Sequence, residues 1–294
     1  MAALATREQQ SAPPGALTAR HDRAPRRART SEARPAGIEP TPSHLNRRPY
    51  IFHSVAVRPD QQAVVERVDA TAYPTFMRHT DLAPWWPVIY GTFPEYQLIL
   101  ADTESGQHLA HGNLLPFAWD GTPEGLPHTA VEMVRRALRD RRRGIAPTVL
   151  GALQAVVDPA QQRGGLSVRM LQGMAGLAAA LRLPDLVAPI RPTEKALDPL
   201  SDLAEYVARA RWDGLPVDPW QRVHARLGAV PIGIEDAWLT VTGTLDDWAT
   251  WTGIEAPPTG PYVVPGALAQ VQVDASLGVG RYAEPHLWMR YHIA

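Results

Sequence analysis

Thr148-Val149-Leu150-Gly151-Ala152-Leu153-Gln154-Ala155-Val156-Val157 runs into Asp158-Pro159-Ala160-Gln161 and then into Gln162-Arg163-Gly164-Gly165-Leu166-Ser167. The first ten residues are apolar and partly β-branched, the pattern of a strand buried on both faces. Asp158-Pro159 stops it, because proline has no N–H to give a ladder. From Val168 to Leu181, Leu171, Met174, Leu177 and Leu181 recur at helical spacing. Leu186–Ile190 reads as a further short strand. The centre of the chain is therefore strand, glycine turn, helix, strand, a βαβ-like unit.

A strand that feeds a helix through glycines makes an anion site. The first N–H groups of a helix lack intrahelical partners, and the helix dipole puts positive potential there. Glycines let a phosphate reach the backbone with no Cβ in the way. Arg163 adds a fixed charge and Ser167 a hydroxyl donor. The spacing is neither the G-x-G-x-x-G of a dinucleotide turn nor a P-loop ending in Gly-Lys.

Outward from this unit, Tyr96–Ala101 and His108–Phe117 read as a hairpin turning at 102–106. Val64, Val65 and Val68 mark a helix over 60–70. Val131, Val134 and Leu138 mark another over 128–143, with arginines at its end where the dipole favours them. Residues 1–48 are rich in Ala, Pro and Arg, with no aromatic residue, and read as a disordered tail carrying a small cluster at Arg26, Arg27 and Arg29. No internal repeat is visible.

The 294 residues suffice for one large or two small domains. With 45% apolar residues a packed core is expected, and no apolar run is long enough to cross a bilayer. Zero cysteines exclude disulfides and thiolate metal sites. A formal charge of -1 gives no general attraction for nucleic acid. The expectations are a cytoplasmic protein with no metal, no membrane segment and no nucleic-acid partner. His108 and His111, three apart on a strand, should point to opposite faces and so not share a ligand.

The pattern Val157-x-Pro159, then Gln162-x-x-Gly165-x-Ser167, resembles the acetyl-CoA signature Q/R-x-x-G-x-G/A of the GNAT acetyltransferases, with serine at the last position. The resemblance implies an α/β (α+β) fold: a mixed, mostly antiparallel sheet flanked by helices, with a splayed parallel pair of strands, the fourth (148–157) and fifth (186–190). It implies acetyl-CoA or another acyl-CoA as co-substrate. Its pantetheine arm would lie along Ala155, Val156 and Val157, and its pyrophosphate on Gln162, Arg163, Gly164, Gly165, Leu166 and Ser167. It implies one domain over 49–294, with an insertion at 193–222 and a C-terminal extension at 235–294. The extension resembles the tails of bacterial GNAT-like proteins of unassigned substrate.

The implied reaction is direct attack of an amine on the thioester. His224 occupies the place of the family's tyrosine acid, and an imidazole titrating near neutrality could protonate the leaving thiolate. Tyr206 is a rival acid. His111 and Asp120 are candidate groups on the acceptor side, and Trp85, Trp86, Trp119 and Trp288 candidate walls. Strand four offers no carboxylate base, only Gln154. Three functions therefore stay open: N-acyltransfer to a small-molecule amine, acyl-CoA binding without transfer, and an acyl-CoA decarboxylase. A homodimer is left open, as are the acceptor and the acyl length.

Overall fold

In a computed structural model, residues 50–162, 164–255, 257 and 259–293 are described. The tail to residue 48 and Arg163 lie outside them.

The central unit begins at β4 (Val149–Val157), passes through α4 (Leu166–Ala180) and ends at β5 (Asp185–Ile190). Before it come β1 (Tyr50–Ser54), α1 (Gln62–Ala72), α2 (Trp86–Thr92), β2 (Gln97–Asp102), β3 (His108–Phe117) and α3 (Ala130–Arg143). After it come α5 (Leu203–Val207), α6 (Pro219–Arg226), β6 (Val230–Thr244), α7 (Leu245–Thr252), β7 (Gly260–Tyr262), β8 (Val271–Asp274) and β9 (Val279–His292). Local chemistry fixes several ends. The Thr129 hydroxyl accepts from the Glu132 amide to start α3, and Gly144 at φ +66° ends it. Thr244 and Asp247 form a reciprocal capping box at α7.

The sheet runs β1-β2-β3-β4-β5-β9-β8-β7, and β6 pairs with β9. β4 and β5 are parallel, and the other pairings are antiparallel. The parallel pair is short: Val149, Leu150 and Gly151 face Asp185, Leu186 and Val187. Beyond it β4 follows β3 as far as Val157 opposite Ala110, while β5 follows β9 from Ala188 to Ile190. A bulge at Leu153 lies where they part, since Gln154 faces Asn113 and Ala152 faces Leu114. Bulges bend and twist a strand locally. The two strands diverge from there.

A second bulge corrects a sequence expectation. Ala110 faces Leu100 but His108 faces Ala101, so Leu109 is an extra residue in β3. Strand alternation slips by one. His108 and His111 then meet, Nε2 to Nδ1, at 3.2 Å.

α4 covers one sheet face through Met170, Leu171, Met174, Ala175 and Ala178. Gly112 makes room for it, because a Cβ there would sit 2.1 Å from Met174 Cε. The opposite face holds Met133, Val134, Ala137 and Leu138 of α3 with Trp238 and Trp288. A third cluster joins Phe76, Val241, Trp248 and Tyr282. Its centre is Trp248, whose Nε1 donates to the Gly280 carbonyl at 2.9 Å. A Cβ at Gly280 would lie 2.5 Å from the indole. Gly280→Val is expected to destabilise by about 1–3 kcal/mol through overpacking. An unchanged urea midpoint would contradict this packing.

Candidate active site

The divergence of β4 and β5 opens a cavity of about 720 Å³. Ala152–Val157 line one side and Ala188–Ile190 the other. Among the described residues the β4 edge past Gly151 has no strand partner on the β5 side. Its outward N–H and C=O groups are therefore open to an extended ligand with amide groups.

At one end lies the glycine turn. Gly164 and Gly165 hold φ of +80° and +74°, which residues with a Cβ adopt only at a cost. Open space surrounds Gly164, since a Cβ there would meet no atom within 4 Å. The Arg169 amide bonds to the Gly165 carbonyl, so the amides ahead of it have no acceptor within the helix. Gln162 and Ser167 line the cavity, and Leu166 begins α4. An open cradle of free amides beside an unpaired strand edge fits a diphosphate with an amide-bearing arm.

His224 lines the same cavity from α6. It is buried, and burial pushes its imidazole down to about 3 from 6.5. The expected near-neutral acid is thereby corrected: desolvation disfavours the imidazolium, so the ring is neutral at pH 7. Its Nδ1 lies 2.6 Å from the Tyr291 hydroxyl, which burial holds protonated. That hydroxyl has no other acceptor among the described residues, so it donates to Nδ1 and the ring proton sits on Nε2. The Nε2 atom is buried and has no partner among the described residues. What His224 offers is thus a hydrogen-bond donor. Tyr206 is elsewhere: it does not line the cavity, and its hydroxyl donates to Asp218 Oδ2 at 3.2 Å. Asp120 also serves its own loop, accepting from the Thr122 amide and hydroxyl.

His111 leads to a carboxylate that sequence reasoning missed. Asp69, on α1, lines the cavity. Its Oδ1 lies 2.9 Å from His111 Nε2, and its Oδ2 accepts from Gln154 Nε2 at 3.1 Å. Gln154 also donates to Asn113 Oδ1 at 2.8 Å. The carboxylate absent from β4 is therefore supplied across it by a helix. Burial and the neighbouring His111 lower the His108 imidazole to about 4, so that ring is neutral. One consistent set of tautomers follows: His108 Nε2–H donates to His111 Nδ1, and His111 Nε2–H donates to Asp69. Only the His108 Nδ1 lone pair is left without a partner.

The far wall was also missed. Arg191, Glu284 and His286 line the cavity where β5 ends beside β9. Arg191, His286 and Tyr282 all donate to Glu284. These contacts outweigh its burial and hold the carboxyl down at about 2. A signal existed, because Tyr282, Glu284, His286 and Trp288 alternate on one strand face, and two charged groups interrupt an aromatic run. Of the four named tryptophans, Trp86 lines the cavity, joined by Trp220 and Trp238. Trp85, Trp119 and Trp288 do not line it.

The chain is 28% identical over 278 residues to the arginine N-acetyltransferase avaD of Aspergillus versicolor, covering 83% of this chain and 94% of that one. The loading GNAT-like domain of CurA from Lyngbya majuscula superposes with a TM-score of 0.55 at 15% identity, over 83% of this chain and 98% of that domain. A second GNAT-fold structure, the GphF GNAT-like decarboxylase in complex with isobutyryl-CoA, superposes with a TM-score of 0.50 at 17% identity. It covers 84% of this chain and all of that one. The chain has the fold of these GNAT-like domains. No family model matches the chain. Among the described residues no helix is long and apolar enough to cross a membrane.

Buried neutral histidines make this site acid-sensitive. Below pH 6.5 the unfolded chain binds a proton at His224 that the folded chain refuses until about pH 3. Stability should therefore fall as pH drops through that window. His224→Gln is expected to lose less urea resistance than the parent between pH 7.5 and pH 5. Equal losses would contradict a buried neutral imidazole.

Proposed function

We propose that this GNAT protein is an acyl-CoA-dependent N-acyltransferase, moving an acetyl or other acyl group from CoA to the amine of a small molecule by direct attack. The observation that carries this reading is the continuity of one cavity. It runs from Gln162 and Ser167 at the glycine turn, along the unpaired edge of β4, to the Asp69 carboxylate.

Bound acyl-CoA supplies the thioester carbonyl. Backbone groups of Ala155, Val156 and Val157 hold its arm in this reading, and Gln162, Gly164, Gly165, Leu166 and Ser167 seat its diphosphate, with Arg163 as a further cation. A β4 amide near Val157 donates to the developing oxyanion. Asp69 holds the incoming amine and takes its proton as the C–N bond forms. His111 and Gln154 orient that carboxylate. The His224 Nε2–H supports the departing sulfur by hydrogen bonding. Tyr206 has no part in the reaction, and His111 is a positioning residue.

A β4 without an acid of its own would suit a binding module that does not transfer. Asp69 in hydrogen-bond contact with Gln154 removes that argument. The substrate in the relative's name, arginine, makes cationic amines the first acceptors to test.

Acetyl-CoA should raise the melting point. At about 100 times Kd a ligand adds about 2.7 kcal/mol to folding stability. Gly165→Glu places a carboxylate at the diphosphate seat and is expected to weaken CoA binding more than about tenfold, or about 1.4 kcal/mol. Gly165→Asn, which tolerates positive φ, controls for backbone strain. Unchanged calorimetric affinity in Gly165→Glu would remove this seat.

Asp69→Asn is expected to lower kcat for thiol release by roughly 10²–10⁴ while acetyl-CoA still binds. Full turnover in that variant would strike Asp69 from the mechanism.

A further inference from the structure

The cavity holds two charged walls that acyl transfer to a simple alkylamine does not require. His286 Nδ1 lies 3.1 Å from the Pro189 carbonyl, and its Nε2 lies 3.0 Å from Glu284 Oε1. A carbonyl oxygen and an ionised carboxylate only accept. Both ring nitrogens therefore donate, and the ring carries a positive charge. Arg191 is the second cation. Its Nε donates to both Glu284 oxygens at 3.1 Å, and its Nη2 donates to the Gly266 carbonyl.

Glu284 is saturated. Tyr282, Arg191 and His286 donate to it, and it has no exposed surface. It cannot also receive a substrate ammonium. Two cations against one anion leave this wall with a net charge of about +1. Arg191 Nη1 has no partner among the described residues, while the side chain keeps 20% of its surface. The guanidinium fork thus retains donors for a ligand on the cavity side.

A second part of the lining is negative. Glu66 and Asp69 project from α1. Asp69 is held by His111 and Gln154, with no arginine or lysine in contact among the described residues. Tyr73 lines the cavity within electrostatic reach of Asp69, Arg191 and Glu284. The two walls therefore belong to one compartment.

We propose that the Arg191–His286 wall seats a carboxylate of the acceptor while Asp69 takes its amine, so that the acceptor class is an amino acid or a similar zwitterion. This rests on the N-acyltransferase reading above. No new covalent step is involved: the amine nitrogen bonds to the acyl carbon, the carbon–sulfur bond breaks, and the carboxylate stays unreacted.

The test is thiol release from acetyl-CoA with the standard amino acids, each beside its primary amide and its decarboxylated amine. Each set keeps one amine and removes the negative charge in two ways. The expected result is kcat/KM at least about tenfold higher for the preferred acid than for its amide and its amine, a difference of about 1.4 kcal/mol. Arg191→Lys should keep part of that preference, and Arg191→Met should lose it by weakening the acid alone. Because Arg191 also ties Glu284 to Gly266, calorimetric binding of the N-acetylated acid and amide products to the parent enzyme with CoA gives a second measure. Tighter binding of the acid product supports the seat. Amides or simple amines turned over as well as acids overturn the carboxylate seat and leave N-acyltransfer standing. No thiol release from any amine overturns both.

Discussion

Everything about this site follows from how soon β4 and β5 stop pairing. Three residue pairs hold them together, and then each strand follows a different neighbour. Buried backbone groups must find partners, and β5 finds them on β9. The inner edge of β4 finds none in the sheet. A strand edge without a partner is a liability on a protein surface. Inside a cavity it becomes a recognition surface for an extended chain of amides. The bulge at Leu153 sits at the fork and gives β4 the bend that separation needs.

The charges around the fork obey one rule. A buried charge survives only if it is paired or well hydrogen-bonded. Glu284 satisfies the rule with cations, so it is structural and closed to ligands. Asp69 satisfies it with His111 and Gln154 and still lines the cavity. Among the described residues His224 has no charged neighbour, and burial makes it give up its proton instead. Three groups in one cavity thus acquire three roles from their partners alone.

GNAT folds at 15–17% identity share this architecture, and architecture does not choose a reaction. The loading domain and the decarboxylase show how widely the fold is used. In this chain α1 brings a carboxylate over β4, while Arg191 at the end of β5 and His286 of β9 meet on Glu284.

The amino-acid sequence by itself determined the local elements and the glycine turn before α4. Apolar runs, helical spacing and adjacent glycines are short-range signals, and the hairpin, β4, α4 and β5 lie where those signals put them. Two kinds of information were not local. Bulges at Leu109 and Leu153 depend on the partner strand, so the meeting of His108 with His111 could not be read from a count of three. Asp69 and Gln154 are 85 positions apart, and Arg191 and Glu284 are 93 apart. Only tertiary packing decided that these pairs meet. It decided also that His224 is too dry to hold a proton, because desolvation is a property of what surrounds a residue and not of the residue.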